Sequence, residues 1–300
     1  MMYSEIKKIK ELFDSGANVM EYFREANKSR NNSIEAIKVS YDLQAGSYIE
    51  FYNSNRTFND LYTAAVARLL EGLGTHKSIL EAGVGEATTL ANVVDKMAVK
   101  PDYTCGFDIS WSRIHCARAF ANSKGVNPDW LFTGDLFRIP LRDNSIDVVY
   151  TSHSIEPNGG REKEALQELY RVASRYLVLL EPAYEFASEE AQKRMEHHGY
   201  VRGLKTTAES LGYNVLEYRL FEHCSNPLNP TGMLLIEKNA QAAAVHPQFR
   251  CPITGGLLEK SGDCYYASES LMAYPIMGGI PCLLPENGIL ASGFNKPIVL

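Results

Sequence analysis

Ser78-Ile-Leu-Glu81-Ala-Gly83-Val-Gly85-Glu-Ala-Thr-Thr89 is an apolar run that passes straight into two glycines and then into a helical pattern. Read as strand, tight turn and helix, it puts glycine where the backbone must turn sharply and let a ligand approach at the strand's carboxyl end. Working outward, short apolar runs at 103–108, 130–133, 146–152 and 176–181 alternate with helical stretches at 87–97, 110–124 and 160–173. That alternation predicts a doubly wound α/β fold, a parallel sheet with helices on both faces. A helix near 205–211 leads to runs at 214–220 and 231–238, close enough in sequence to pair antiparallel.

Ahead of this core, Ile6, Ile9, Leu12, Phe13, Val19, Met20 and Phe23 follow helical spacing with a break near Ser15-Gly16. Phe58, Leu61, Tyr62, Ala65, Val66, Leu69 and Leu70 give a further helix that ends at Gly72 or Gly74. Behind the core, the Ala-rich run from Ala240 to Val245 reads as a linker, and residues 246–300 as a small unit rich in Gly, Pro and Tyr.

Composition narrows the function classes. Hydrophobic residues at 45% and charged residues at 22% are those of an ordinary globular protein, and no segment offers the roughly 20 apolar residues of a membrane helix. The N-terminus lacks the apolar run of a secretory signal, so a soluble, cytoplasmic protein without membrane insertion is expected. A net charge of −6, with Lys and Arg interleaved among acids, argues against a long nucleic-acid substrate. The six cysteines are scattered in a chain too large to need staples, which predicts reduced thiols.

Three strand ends carry candidate ligand groups. Tyr103-Thr-Cys-Gly-Phe-Asp108 ends on an acid that can accept both hydroxyls of an adenosine ribose. Phe132-Thr-Gly-Asp135-Leu136 supplies a second acid able to accept from an adenine amino group, with Leu136 to pack on the ring. Together with Ile139-Pro140-Leu-Arg-Asp143-Asn-Ser-Ile-Asp147-Val-Val-Tyr150, the motifs in their order resemble class I methyltransferases over roughly residues 76–238. The resemblance implies a Rossmann-like seven-stranded sheet with an antiparallel last strand, and S-adenosylmethionine as cofactor. It implies that Glu81, Gly83 and Gly85 surround the amino-acid part of the cofactor, Asp108 and Ile109 the ribose end, Asp135 and Leu136 the adenine, with Ser152 at the fourth strand's end. A nicotinamide dehydrogenase would need a third glycine where this chain has Thr88. The expected divisions are 1–56, an N-terminal helical lid; 57–240, the methyltransferase domain; and 246–300, an appendage.

Past the fourth strand, Thr151-Ser152-His153-Ser154-Ile155-Glu156-Pro157-Asn158 falls at the switch point of such a sheet. His153 is the candidate general base, because imidazole titrates near neutrality, and Glu156 its orienter or a ligand of a substrate hydroxyl. The Asn/Asp-Pro-Pro-aromatic turn of amino-methylating relatives is missing here. Asn226-Pro227-Leu228-Asn229-Pro230 reads instead as a rigid connection. Ser40 to Tyr48, and the group Arg194, His197, His198, Tyr200 and Arg202, read as two lid segments, and the paired histidines as a polar surface without metal. If the lids meet over the pocket, the acceptor is a small polar or sugar-like molecule with hydroxyl or carboxylate groups, methylated on oxygen. An RNA or translation-factor methyltransferase, or a cofactor-binding scaffold without turnover, are the alternatives.

Cys251-Pro-Ile-Thr-Gly-Gly-Leu-Leu, followed by Ala273-Tyr-Pro-Ile-Met-Gly-Gly-Ile-Pro-Cys-Leu-Leu-Pro285, resembles the small Trm112-like zinc-ribbon fold over residues 249–286. Zinc-binding members use two Cys-x-x-Cys pairs, whereas here Thr254, Ala267 and Ser270 stand at three of those positions. A metal-free tail is therefore expected, docked on the core or mediating assembly such as a homodimer, and a fused activator is the role the resemblance implies.

Overall fold

The computed structural model describes residues 5–238 and 246–295. The expected linker at 240–245 lies outside the described residues. Five helices precede the first strand: α1 (Ile6–Asp14), α2 (Val19–Ala26), α3 (Ile34–Leu43), α4 (Ser47–Ser54) and α5 (Arg56–Gly72). Then follow β1 (Ser78–Ala82), α6 (Thr88–Lys96), β2 (Tyr103–Asp108), α7 (Trp111–Ser123), β3 (Trp130–Thr133), β4 (Ile146–Ser152), α8 (Glu162–Val172) and β5 (Ala173–Pro182). α9 (Glu189–His198), α10 (Leu204–Ser210), β6 (Asn214–Leu220) and β7 (Thr231–Glu237) complete the core.

The seven strands lie in the order β3-β2-β1-β4-β5-β7-β6. β1 to β5 pair in parallel, and β7 runs antiparallel to both β5 and β6. The chain thus switches direction across the sheet between β1 and β4, where two strand ends diverge and leave a crevice. Alternate residues of each strand face opposite layers. Ile79, Val148 and Val178 pack with Val66 and Leu70 of α5, Leu90 of α6 and Ile114 of α7. Leu80, Val149 and Leu179 pack on the other face with Leu166 and Leu169 of α8 and Ala208 of α10. β6 carries a register shift between Val215 and Glu217.

Four elements add detail to the sequence reading. α3 and α4 are helical where Ser40 to Tyr48 reads only as polar, aromatic chain, and α9 occupies much of the second lid segment. β5 starts at Ala173, three residues before the apolar run, because the Ser174 hydroxyl donates to Asp147 Oδ1 at 3.1 Å and ties the polar start of the strand to its neighbour.

The C-terminal unit holds β8 (Glu259–Ser261), β9 (Cys264–Ala267), β10 (Met272–Met277), β11 (Ile280–Pro281) and β12 (Ile289–Leu290) in a small antiparallel sheet. It lies along the β3 edge. Thr133 and Cys282 pair in parallel, the Leu283 N–H donates to Thr133 O at 3.1 Å, and Arg250 N–H donates to Pro140 O at 3.1 Å. Phe249, Cys251, Tyr274 and Leu283 belong to the same apolar cluster as Phe107 and Phe132, so the unit shares the core of the large sheet. Among the described residues no helix is long and apolar enough to cross a membrane.

Candidate functional site

The crevice at the switch point is a cleft that is open to solvent at its mouth. Glu81, Gly83, Gly85, Asp108, Ile109, Asp135, Leu136, Ser152 and His153 all line it. Glu156 does not; it stands behind His153. The turn after β1 is steric in origin. Gly83 has φ +73°, and a Cβ there would lie 2.2 Å from the Ser154 Cβ, so the β1 and β4 loops can touch only through glycine.

Asp108 is buried at the end of β2. Its Oδ2 accepts from the Gly85 N–H at 3.0 Å and its Oδ1 from the Ser110 N–H at 2.9 Å. Each oxygen keeps a second lone pair for a ligand hydroxyl. Burial raises the Asp108 carboxyl pKa, and Arg113 and the backbone donors oppose that rise. Glu81, buried beneath the turn, accepts from the Tyr150 hydroxyl at 2.9 Å, and burial pushes its pKa up to about 8. After β3, Asp135 Oδ1 accepts from the Phe137 N–H at 2.9 Å, with Leu136 beside it. Ser152 Oγ shares a 2.8 Å hydrogen bond with the Tyr62 hydroxyl of α5.

His153 follows β4 in the left-handed region, φ +55°, a backbone state that is uncommon for a non-glycine residue. Its Nδ1 lies 2.5 Å from Glu156 Oε2 and its Nε2 2.8 Å from Thr231 Oγ1. Burial lowers the imidazole pKa, yet the Glu156 carboxylate outweighs it and the net shift is upward. Burial also disfavours the Glu156 carboxylate, but His153, Tyr200 and Asn229 hold its pKa below the usual value. The loop itself is gripped from beneath. Glu181, buried at the end of β5, accepts from the N–H groups of Ser154, Ile155 and Glu156 at 3.0–3.1 Å, and burial raises its pKa to about 7. The Asn226–Pro230 connection between β6 and β7 contributes Asn229, whose Nδ2 donates to Glu156 at 3.2 Å.

Above the cleft, the α3–α4 segment is latched onto the core at several points. Asp42 accepts from Ser110 Oγ at 2.6 Å and from the Ser112 N–H and Oγ at the start of α7. Glu86 accepts from the N–H groups of Gly46 and Ile49 at 2.9 and 2.8 Å, and so caps α4 from the β1 turn. The chain ahead of α3 is tied to the loop after β4 and to the end of α9, where Asn32 Nδ2 donates to Pro157 O at 2.9 Å and to His198 O at 3.3 Å. Arg113, Glu86 and Glu181 escaped the sequence reading: each is a charged residue whose burial comes only from tertiary structure.

The remaining candidate residues have no place in the cleft. His197 is exposed and His198 half-buried, away from the lining, and no group of three or more His, Cys, Asp or Glu side chains among the described residues could hold a metal ion. In the C-terminal unit, Cys251 Sγ lies 3.3 Å from the Tyr274 hydroxyl and 3.6 Å from Ser270 Oγ. Cys264 and Cys282 bond instead to backbone carbonyls of their own turns.

A glycine turn after β1, an acid after β2 and another after β3, on one seven-stranded sheet with an antiparallel β7, make this the Rossmann-like fold of class I methyltransferases. Residues 79–175 match a family model described as a methyltransferase domain, and that family uses S-adenosylmethionine. Norajmaline N-methyltransferase of Rauvolfia serpentina is 28% identical over 119 residues, covering 39% of this chain and 39% of the relative. The chain thus spans about two fifths of the length of the curated relative it matches. Among solved structures, magnesium protoporphyrin IX methyltransferase from Synechocystis PCC 6803 with bound SAH is similar at a TM-score of 0.53 and 14% identity, over 67% of this chain and 99% of that one. A SAM dependent methyltransferase from Aquifex aeolicus aligns at a TM-score of 0.42 and 18% identity, over 57% of this chain and 87% of that one.

Proposed function

We propose that this protein transfers the methyl group of S-adenosylmethionine to an oxygen of a small acceptor, with a hydroxyl-bearing metabolite or glycan precursor as the substrate class. The observation that carries the reading is that the ends of β1, β2, β3 and β4 open on one cleft, with His153 in its wall and Glu156 behind it. The side chains present fit the cofactor. Asp108 retains lone pairs for ribose hydroxyls, Asp135 can accept from the adenine amino group beside Leu136, and Glu81 offers a carboxylate to the ammonium end. When bound, S-adenosylmethionine supplies an electrophilic methyl group on a sulfonium. The N-terminal helices, latched by Asp42 and Glu86 and tied to α9 through Asn32, would exclude water and large acceptors from the cleft.

His153 is assigned as the general base. In its neutral form Nδ1–H donates to Glu156, which fixes the tautomer and leaves the Nε2 lone pair facing Thr231. An acceptor hydroxyl would replace Thr231 at Nε2 and hand over its proton there, while its oxygen takes the methyl group and the donor sulfur leaves as a neutral thioether. Replacing His153 with Ala is expected to lower turnover at saturating substrates by about 10²- to 10⁴-fold, the usual worth of a positioned base. Because the imidazole pKa is raised, wild-type turnover should fall as pH drops through that raised value. The name of the Rauvolfia relative favours a second reading, a nitrogen acceptor. A neutral amine attacks without prior deprotonation, so undiminished turnover in the His153→Ala variant would exchange the oxygen reading for that one.

Glu81 gives a further check. With its pKa near 8 it is largely protonated at pH 7, and an ammonium bound beside it favours the ionised form. Binding of S-adenosylhomocysteine at pH 7 should therefore release a proton, and affinity should rise with pH up to about 8. Calorimetry in two buffers of different ionisation enthalpy measures that proton. Equal heats in both would remove Glu81 from the ligand's amino-acid end.

We assign the N-terminal helices, 1–56, as the lid and 57–240 as the catalytic domain. Residues 246–300 are assigned as a Trm112-like module fused in cis, supported by its pairing with β3 and its shared core.

A further inference from the structure

Arg113 is a charged residue of the cleft whose chemistry the reading above leaves unused. It sits in the first turn of α7 and is only 4% exposed. Its guanidinium lies between two rings of the lid, 4.5 Å from the Tyr41 centroid and 4.3 Å from the Tyr48 centroid. Nε donates to Tyr41 O at 3.0 Å, while Nη2 is buried with no hydrogen-bond acceptor. A buried cation with an unpaired Nη2 is costly unless an acceptor completes it. Asp108 is close enough to stabilise the charge, but the hydrogen bonds to Asp108 come from the Gly85 and Ser110 backbone.

The surroundings say what the anion is. Nη1 would lie 3.3 Å from a Cβ on Gly85, and the guanidinium shares the cleft wall with Thr88 and Thr89 at the start of α6. That is the wall of the cleft beside the β1 turn, next to Gly85. A guanidinium with Nη2 still to be bonded matches a carboxylate, which complements both the charge and the free donor.

We propose that Arg113 binds the carboxylate of the donor's amino-acid end, and that Tyr41 and Tyr48 hold its fork in place. The inference rests on the methyltransferase reading and adds to it a residue and a specificity. The site forms only with the lid closed, since both rings belong to the α3–α4 segment, so recognition of the carboxylate and closure of the lid are one event.

Calorimetric titration separates the outcomes. The probes are S-adenosylhomocysteine and its decarboxylated analogue S-adenosyl-3-thiopropylamine, against the full-length wild type, Arg113→Met and Arg113→Lys. Wild type should bind the carboxylate-bearing probe more tightly, and Arg113→Met should lose about 10- to 100-fold for that probe alone, the worth of a hydrogen bond to a charged group. Arg113→Lys, which keeps the charge without the fork, should fall between. Undiminished affinity of Arg113→Met for the decarboxylated probe also reports an intact fold. Equal losses for both probes, or none for either, would overturn the assignment. If wild type bound neither probe, the methyltransferase reading would fall, and this inference with it.

Discussion

Replacing Asp108 with Ala is expected to weaken binding of S-adenosylmethionine and S-adenosylhomocysteine by more than about 100-fold, since two charge-assisted hydrogen bonds to the ribose are lost at once. The loss extends beyond the ligand. Gly85 N–H and Ser110 N–H are left without their acceptor, and the Arg113 cation loses the negative charge that compensates it. The β1 turn and the start of α7 are thereby loosened together, which Asp108→Asn would do less, because an amide oxygen still accepts one of those bonds. Titration of both sulfur ligands against wild type and the two variants, with NAD as control, measures the effect. Asp108→Ala binding within a few-fold of wild type would break the assignment of the ribose site, and tight NAD binding would replace the donor.

The largest effect on the fold is expected at Gly83. An alanine there would have to occupy φ +73° and put its Cβ 2.2 Å from that of Ser154, an overlap that only movement of the β1 or β4 loop relieves. Left-handed strain and steric displacement together should cost about 3 kcal/mol or more. Denaturant unfolding of Gly83→Ala measures the loss, and Ser154→Gly in the same chain should recover the steric part but not the backbone part. Wild-type stability in Gly83→Ala would mean that the two loops do not touch as described. Both loops line the cleft, so the stability loss and the affinity loss should appear in the same variant.

The sheet was largely legible in the sequence because buried parallel strands are near-continuous apolar runs. Ser78–Ala82 and Ile146–Ser152 are of that kind, and glycines and acids mark their ends. The lid helices were less legible. α4 begins after Gly46, and its cap is a carboxylate 40 residues away, Glu86, which no local pattern announces. α9 buries only Ala191 and Met195 of its ten residues, too few to give a helical apolar stripe. The cleft's wall was read from motifs, but its floor and roof depend on Glu181 and Arg113. An acid at a strand end and an arginine in a helix both look like surface residues until tertiary structure buries them. The sequence points to His153 by its ring alone. Its left-handed backbone, and the engagement of both its nitrogens, were beyond any sequence signal.

The pairing of the C-terminal unit with β3 bears on how the protein behaves at high concentration. A sheet edge with free N–H and C=O groups is a template onto which another chain can add. Here the end of the edge strand β3, at Thr133, is paired by residues of the same polypeptide, Cys282 and Leu283. The opposite edge, β6, is broken by its register shift and carries Glu217 and Arg219, joined by a 2.7 Å ion pair. Detaching the tail would uncover Phe249's partners Trp130 and Phe132 on a bare strand. The same segment that completes the fold therefore guards it against edge-to-edge aggregation.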